Sequence, residues 1–228
     1  MSRTTMSTRF KPAASPVILA VGMALCGIAA AADEPSPHYY LGLQAGRNNL
    51  DNWNADVSFG AGVTLPGKVG LDQGMHGGLV FGRQTEHARY EIEYQRGSFD
   101  LQSIELGPLK EAAGGSGHYE ALTLNAYRTE RLSDSVSGYL GAGIGFGKTK
   151  LPSASFSTGC HCFPASSGNG LAWQLRAGLE YDFAAAHKGF IQYTHLGLPS
   201  PDSGSTPGVD YDRKQIGIIG LGYRYVFP

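Results

Sequence analysis

A chain of 228 residues suits one domain or at most two, and 18 basic residues against 19 acidic ones exclude the strongly basic footprint of a nucleic-acid binder. A mean hydropathy of −0.17, with a single long apolar run, excludes a bundle of membrane helices. It does not exclude a membrane barrel, because alternating strands disappear when hydropathy is averaged.

The first element is an export signal rather than part of the fold. Arg3, Arg9 and Lys11 form a basic lead, residues 17–29 an apolar stretch, and Ala30, Ala31 and Ala32 a small-residue cleavage site before Asp33. Cleavage is expected after residue 32, leaving a single domain over 33–228. The apolar stretch is shorter than the ~20 residues a spanning helix needs, and Leu25 is too large to precede a lipidated Cys26. Removal of the three basic residues leaves 15 of the 18 cations against all 19 anions, a formal charge of −4.

Eight strands follow, each read from its period of two. Over 39–46, Tyr39, Leu41, Leu43 and Ala45 alternate with Tyr40, Gly42, Gln44 and Gly46. A polar stretch over 47–74, rich in Asn, Asp and Gly, leads to a strand at 75–83, a turn, and a strand at 88–99. There Tyr90, Ile92 and Tyr94 alternate with Arg89, Glu91, Glu93 and Gln95, an apolar face against a charged one. A second long loop covers 100–117. The fourth strand, 118–129, sets Leu122, Leu124 and Ala126 against Thr123, Asn125 and Tyr127. A turn over 130–136 leads to 137–147, where Leu140, Ala142, Ile144 and Phe146 alternate with Gly141, Gly143, Gly145 and Gly147. That glycine row would weaken a strand unless it made room for long side chains from opposite strands. The third long loop, 148–170, holds the two cysteines of the mature chain. The sixth strand, 171–183, sets Trp173, Leu175, Leu179 and Tyr181 against Gln174, Arg176, Gly178 and Glu180. A tight turn, a strand at 189–196 and a fourth long loop at 197–212 lead to the last strand, 215–227. There Ile219, Leu221, Tyr223, Tyr225 and Phe227 face away from Gly220, Gly222 and Arg224.

Connections thus alternate long and short over eight strands, with four long polar loops on one rim and three short turns with both termini on the other. The pattern predicts an all-β, eight-stranded antiparallel transmembrane barrel, closed so that every backbone amide is paired, with external loops and periplasmic turns. The outward aromatics Tyr39, Tyr90, Tyr94, Trp173, Tyr181, Tyr223, Tyr225 and Phe227 read as interfacial girdles rather than as a ligand platform.

Arg89, Glu91, Glu93, Arg176, Glu180 and Arg224 point inward. An eight-stranded barrel is just wide enough for side chains to fill it, so these charges are expected to pair in a polar network rather than line an open path. A narrow ion-selective channel is the competing reading. Cys160 and Cys162 flank His161 and are expected to form a loop disulfide, as exported cysteines do. A soft-metal site there would need a further ligand such as His76 or His118. His195 is the best catalytic candidate. A lipid hydrolase on the outer face would pair it with a serine and an acid, but position 197, where the serine would stand, is Gly. No cofactor, metal or catalytic residue is expected.

The chain resembles the superfamily of small outer-membrane β-barrels that includes opacity-type adhesins, OmpA-like transmembrane domains and porin-family surface antigens of Gram-negative bacteria. The resemblance rests on the runs over 39–46, 90–94, 139–145, 172–181 and 222–227 and covers nearly all of the mature chain. It implies the cell outer membrane as location, and outer-membrane lipid and lipopolysaccharide, the barrel-assembly machinery and a host or environmental ligand at the external loops as partners. Tyr223, Tyr225 and Phe227 correspond to the aromatic C-terminal assembly signal, here shifted by one residue because Pro228 follows Phe227. The family fold also hosts lipid A deacylases. The expectation from sequence is a non-enzymatic surface protein acting in membrane integrity, adhesion or recognition, with a narrow channel second and a lipid A hydrolase third.

Overall fold

The computed structural model describes residues 37–228; the expected signal peptide and its cleavage site lie outside them. Twelve strands follow in order: β1 (His38–Asn49), β2 (Trp53–Ser58), β3 (Thr64–Asp72), β4 (Gly74–Gln84), β5 (Ala88–Leu106), β6 (Leu109–Ala112), β7 (Ser116–Arg131), β8 (Val136–Leu151), β9 (Ser166–Ala184), β10 (His187–Leu198), β11 (Gly208–Tyr211) and β12 (Lys214–Val226).

Eight of them close a ring in the order β1, β4, β5, β7, β8, β9, β10, β12 and back to β1, every neighbour antiparallel. Closure leaves no unpaired edge in the wall, the condition for strands to sit in lipid. The eight strands read from the sequence are these eight; seven are longer than expected, β5 most of all at its outer end, and the last is shifted by one residue toward the N-terminus. The expected alternation holds on the fourth: Leu122 and Leu124 face out, whereas Thr123, Asn125 and Tyr127 are buried.

The outer face carries Leu41, Leu79, Ile92, Leu124, Leu140, Ile144, Leu175, Ile191 and Leu221, all exposed. On β9 the apolar outward positions run from Leu171 to Tyr181. At roughly 3.3 Å per residue and a tilt of about 40°, they cover a height of about 25 Å, the apolar band of a membrane barrel.

Many inward glycines sit directly opposite an aromatic ring on the neighbouring strand. Gly82 pairs with Tyr40, Gly97 with Tyr119, Gly117 with Phe99, Gly178 with Tyr139 and Gly222 with Phe190. A Cβ at any of the five would strike the paired ring, so each ring lies across the strand it neighbours and covers bare backbone. In the glycine row of β8, side chains at Gly141 and Gly143 would collide with Tyr127 and Asn125 of β7, and one at Gly145 with the Leu122 carbonyl. The row therefore makes room for adjacent strands, not for opposite ones as the sequence reading has it.

The four long connections are the main departure from expectation. They are not open polar loops. The outer part of β5 pairs with β3 on one side and β6 on the other, β3 pairs with β2, and β2 with β11. Single bridges at Asp202 carry the pairing from β11 to Ser167 at the outer end of β9. The wall thus continues past the membrane as a second, smaller sheet. From Arg96 to Leu106, β5 alone runs on for roughly 33 Å of strand length, about 25 Å of height at the same tilt. Inside this extension lies one apolar core: Trp53, Val57, Val69, Phe99, Leu101, Ile104, Phe156, Phe163, Leu196, Val209, Ile216 and Ile218 are among its buried residues.

Candidate functional site

The inward side chains change character along the barrel axis. Through the lower and middle levels most are polar or charged, with Val80 and Phe190 among them, and above the level of Gln95, Gln44 and Thr194 the apolar Phe99, Leu196, Ile216 and Ile218 join Asn48 and His76. The reason is local. An inward residue at membrane depth faces other inward residues and must find partners among them, whereas one above the membrane can be covered by the folded connections.

Arg89, Glu91, Glu93, Arg176, Glu180 and Arg224 are all buried, three cations against three anions. Glu93 on β5 accepts from Arg176 Nη2 at 2.6 Å, Gln174 Nε2 at 2.8 Å and Asn125 Nδ2 at 2.9 Å, and also from Gln44 Nε2. Arg176 further donates to Thr194 Oγ1 at 2.8 Å and Tyr127 Oη at 3.1 Å. Glu180 receives Arg89 Nη1 at 3.1 Å, Lys188 Nζ at 3.2 Å and Arg224 Nη1. Glu91 accepts from Tyr40 Oη at 2.6 Å and faces Arg89 Nε at 3.2 Å and Arg224 Nη2 at 3.5 Å. The guanidinium groups also lie over rings, with Arg89 4.1 Å from the Tyr139 centroid and Arg224 4.1 Å from that of Phe190.

A belt of hydrogen bonds crosses the lumen. Tyr139 Oη donates to Gln192 Oε1 at 2.9 Å, Gln192 Nε2 to Gln44 Oε1 at 2.7 Å, Gln44 to Glu93, and Gln174 to Glu93. It joins β8, β10, β1, β5 and β9. Sequence reasoning set Tyr40, Gln44, Asn125 and Gln174 on the faces opposite the apolar ones without joining them to the six charges, and did not place Tyr139 and Gln192. Their signal was their inward parity, shared with the charges.

The outer extension is tied to the barrel by polar links at its seams. Lys214 Nζ donates to the carbonyls of Asp51 at 2.7 Å and Asn52 at 3.0 Å, and Trp53 Nε1 to the Asp212 carbonyl at 2.7 Å. Burial holds the Lys214 ammonium below the usual lysine range. On the far side, the Glu111 carboxylate accepts the Ser157 amide at 2.7 Å and joins β6 to the cysteine loop. Hydrogen bonds from the Ser157 side chain and backbone hold Glu111 below the usual carboxylate range.

A depressed carboxylate stabilises the fold above its unfolded pKa and loses that contribution as pH falls through the folded one. Amide exchange in residues 152–165 is therefore expected to quicken on acidification below about pH 4. In Glu111→Gln it should already be fast at neutral pH and lack the acid step.

Cys160 and Cys162 stand within disulfide reach of each other, Cα to Cα 5.2 Å, with Cys162 buried against the outer core. His161 is exposed and its Nδ1 lies 2.7 Å from Ser155 Oγ. His76 is buried in the barrel with Nδ1 3.1 Å from Tyr119 Oη. Among the described residues no three His, Cys, Asp or Glu side chains gather as a metal site. His195 lies on the outer face against Trp173, and its Nε2 is 3.1 Å from Gln215 Oε1 rather than from an acid. Tyr223, Tyr225 and Phe227 face outward at the turn-bearing rim, where His187 packs between Tyr223 and Tyr225.

The outer membrane protein beta-barrel domain model matches residues 18–225. The chain belongs to that family. Membership places it in the outer membrane of a Gram-negative bacterium, with the apolar band in lipid and the turns toward the periplasm. Among solved structures, it is similar to Neisserial surface protein A, with a TM-score of 0.52 at 13% identity, covering 83% of this chain and 97% of that one. It is also similar to the outer membrane protein OprG of Pseudomonas aeruginosa, with a TM-score of 0.53 at 17% identity, covering 82% and 95%. At these identities the likeness is one of fold. No curated protein matches.

Proposed function

We propose that this outer-membrane barrel is a closed, non-enzymatic scaffold that presents its folded outer extension to the cell's surroundings, acting in adhesion or surface recognition. The observation that carries the reading is the continuous filling of the interior. A charge-balanced network occupies the membrane level and an apolar core occupies the level above it. A conducting path would have to part both. The outer connections, in contrast, form a paired sheet with a core of its own, so its surface is preorganised and a ligand would bind without first ordering the loops. His195 has Gln215 as partner in place of an acid, which counts against a hydrolase. A host or environmental ligand would meet this extension, and the barrel-assembly machinery would read Tyr223, Tyr225 and Phe227 at the opposite rim.

The test compares cells carrying the intact chain, no chain, and a chain lacking residues 51–72, which hold β2 and β3 of the outer sheet. Binding to surfaces and sensitivity to detergent are scored together. Loss of binding with an intact detergent barrier is the expected outcome for the shortened chain. Equal binding by all three strains, with leakage only where the chain is missing, would leave a purely structural role.

A further inference from the structure

The far end of the extension consists of the turn between β2 and β3, the turn between β5 and β6, and the segment leading into β11. The Gly107 amide donates to the Pro66 carbonyl at 3.2 Å and joins the first two, and Thr206 lies against Gly60. Residues 57–67, 106–109 and 203–209, which make up these tips, include no charged side chain. Phe59, Val63, Leu65 and Leu109 stand there between 36% and 52% exposed, and within the extension they are the exposed large apolar side chains among the described residues. The first tip is held rigidly. Gly60, Ala61 and Gly62 all take positive φ, and the Phe59 amide donates to the Val63 carbonyl at 2.9 Å, which fixes both side chains at the base of one tight turn.

Charge returns one rung below. Pairing sets Asp202, Asp210 and Asp56 side by side; all three are exposed and make no ion pair among the described residues. Farther round, Lys110 neutralises Glu105 at 2.7 Å, which leaves Lys68, opposite Glu105 on β3, as the cation set against three carboxylates. The apolar tips therefore rise from a collar of net negative charge.

We propose that these tips insert into the lipid surface of a facing membrane whose headgroups are zwitterionic, with a quaternary ammonium outermost. This partner deepens the surface-recognition reading and rests on it. A stable protein pair buries about 800 Å² on each side over matched surfaces, far more than four half-covered side chains on two turns supply. A lipid surface needs no matched shape. It takes up apolar area one side chain at a time, and many copies on one cell act together. The collar sets the lipid class: it repels anionic headgroups and attracts the ammonium groups that a zwitterionic surface presents first. The tips stand about 25 Å above the barrel's own membrane, so the membrane they meet is another one.

The test reconstitutes the full chain in immobilised liposomes and counts labelled acceptor vesicles that dock, made either of phosphatidylcholine or of phosphatidylglycerol. Docking of phosphatidylcholine vesicles alone is expected, falling about fivefold for each of Phe59→Ser and Leu65→Ser. Asp56→Asn combined with Asp210→Asn, which leaves the apolar side chains untouched, should keep that docking and admit phosphatidylglycerol vesicles as well. The proposal is overturned if the intact chain docks both vesicles equally or neither, if both serine variants dock as the intact chain does, or if the asparagine pair still excludes phosphatidylglycerol. Should vesicles fail to dock while cells carrying the intact chain still bind surfaces better than cells lacking residues 51–72, the lipid partner falls and the surface-recognition reading stands. Equal surface binding by both would remove the two together.

Discussion

Replacing Arg176 with Leu is expected to lower the stability of the barrel by about 3–5 kcal/mol, the cost of removing one partner of a buried ion pair. The side chain is buried within the wall and donates to Glu93, Thr194, Tyr127 and Gln174. Its loss strands Glu93 and turns three cations against three anions into two against three. The polar donors Gln44, Asn125 and Gln174 still reach Glu93, but they carry no charge to offset it. Adding Glu93→Gln restores neutrality and should recover part of the loss. The temperature at which the folded barrel loses its compact migration in detergent gels reads both effects. An unaltered temperature together with a new conductance would mean that these charges line water rather than seal it.

Trp53→Ala is expected to act one level higher and to leave the barrel standing. Trp53 is buried in the outer core beside Phe99 and Tyr211, and its indole holds the Asp212 carbonyl. Truncating such a side chain costs about 3–5 kcal/mol. That loss falls on the short strands β2, β3 and β11, whose pairings lie outside the closed ring. Amide exchange and protease cleavage should rise over residues 50–72 and 199–213 while the melting of the membrane ring changes little. If the ring melts early as well, the extension and barrel are one cooperative unit.

These two variants mark the border of what the sequence makes legible. The ring strands are long and carry strong contrasts, such as Tyr90, Ile92 and Tyr94 against Arg89, Glu91 and Glu93, because lipid and a crowded interior impose opposite demands at every second residue. The outer strands carry the same period more faintly. Trp53, Ala55 and Val57 alternate with Asn54, Asp56 and Ser58, but only over six residues and amid enough Asn, Asp and Gly to read as loop. Leu101, Ile104 and Leu106 lie beyond the Tyr90–Tyr94 pattern and break parity at the irregular pairing of Gly70 and Leu71. The partners within the interior were out of reach for another reason. Arg176 and Glu93 are 83 positions apart, and their meeting depends on the register of every pairing between them. Inward parity identifies the members of such a network. Ring closure decides who bonds to whom.

An interior closed at two levels carries no current, and conductance across a planar bilayer reads this. The intact chain, inserted from detergent, should give no stable unitary steps under an applied voltage. Trp53→Ala, which loosens only the upper level, should stay silent too, because the network of Arg176, Glu93 and Gln44 still spans the lumen. Reproducible steps of one size from the unaltered protein would contradict the account and make the barrel a channel.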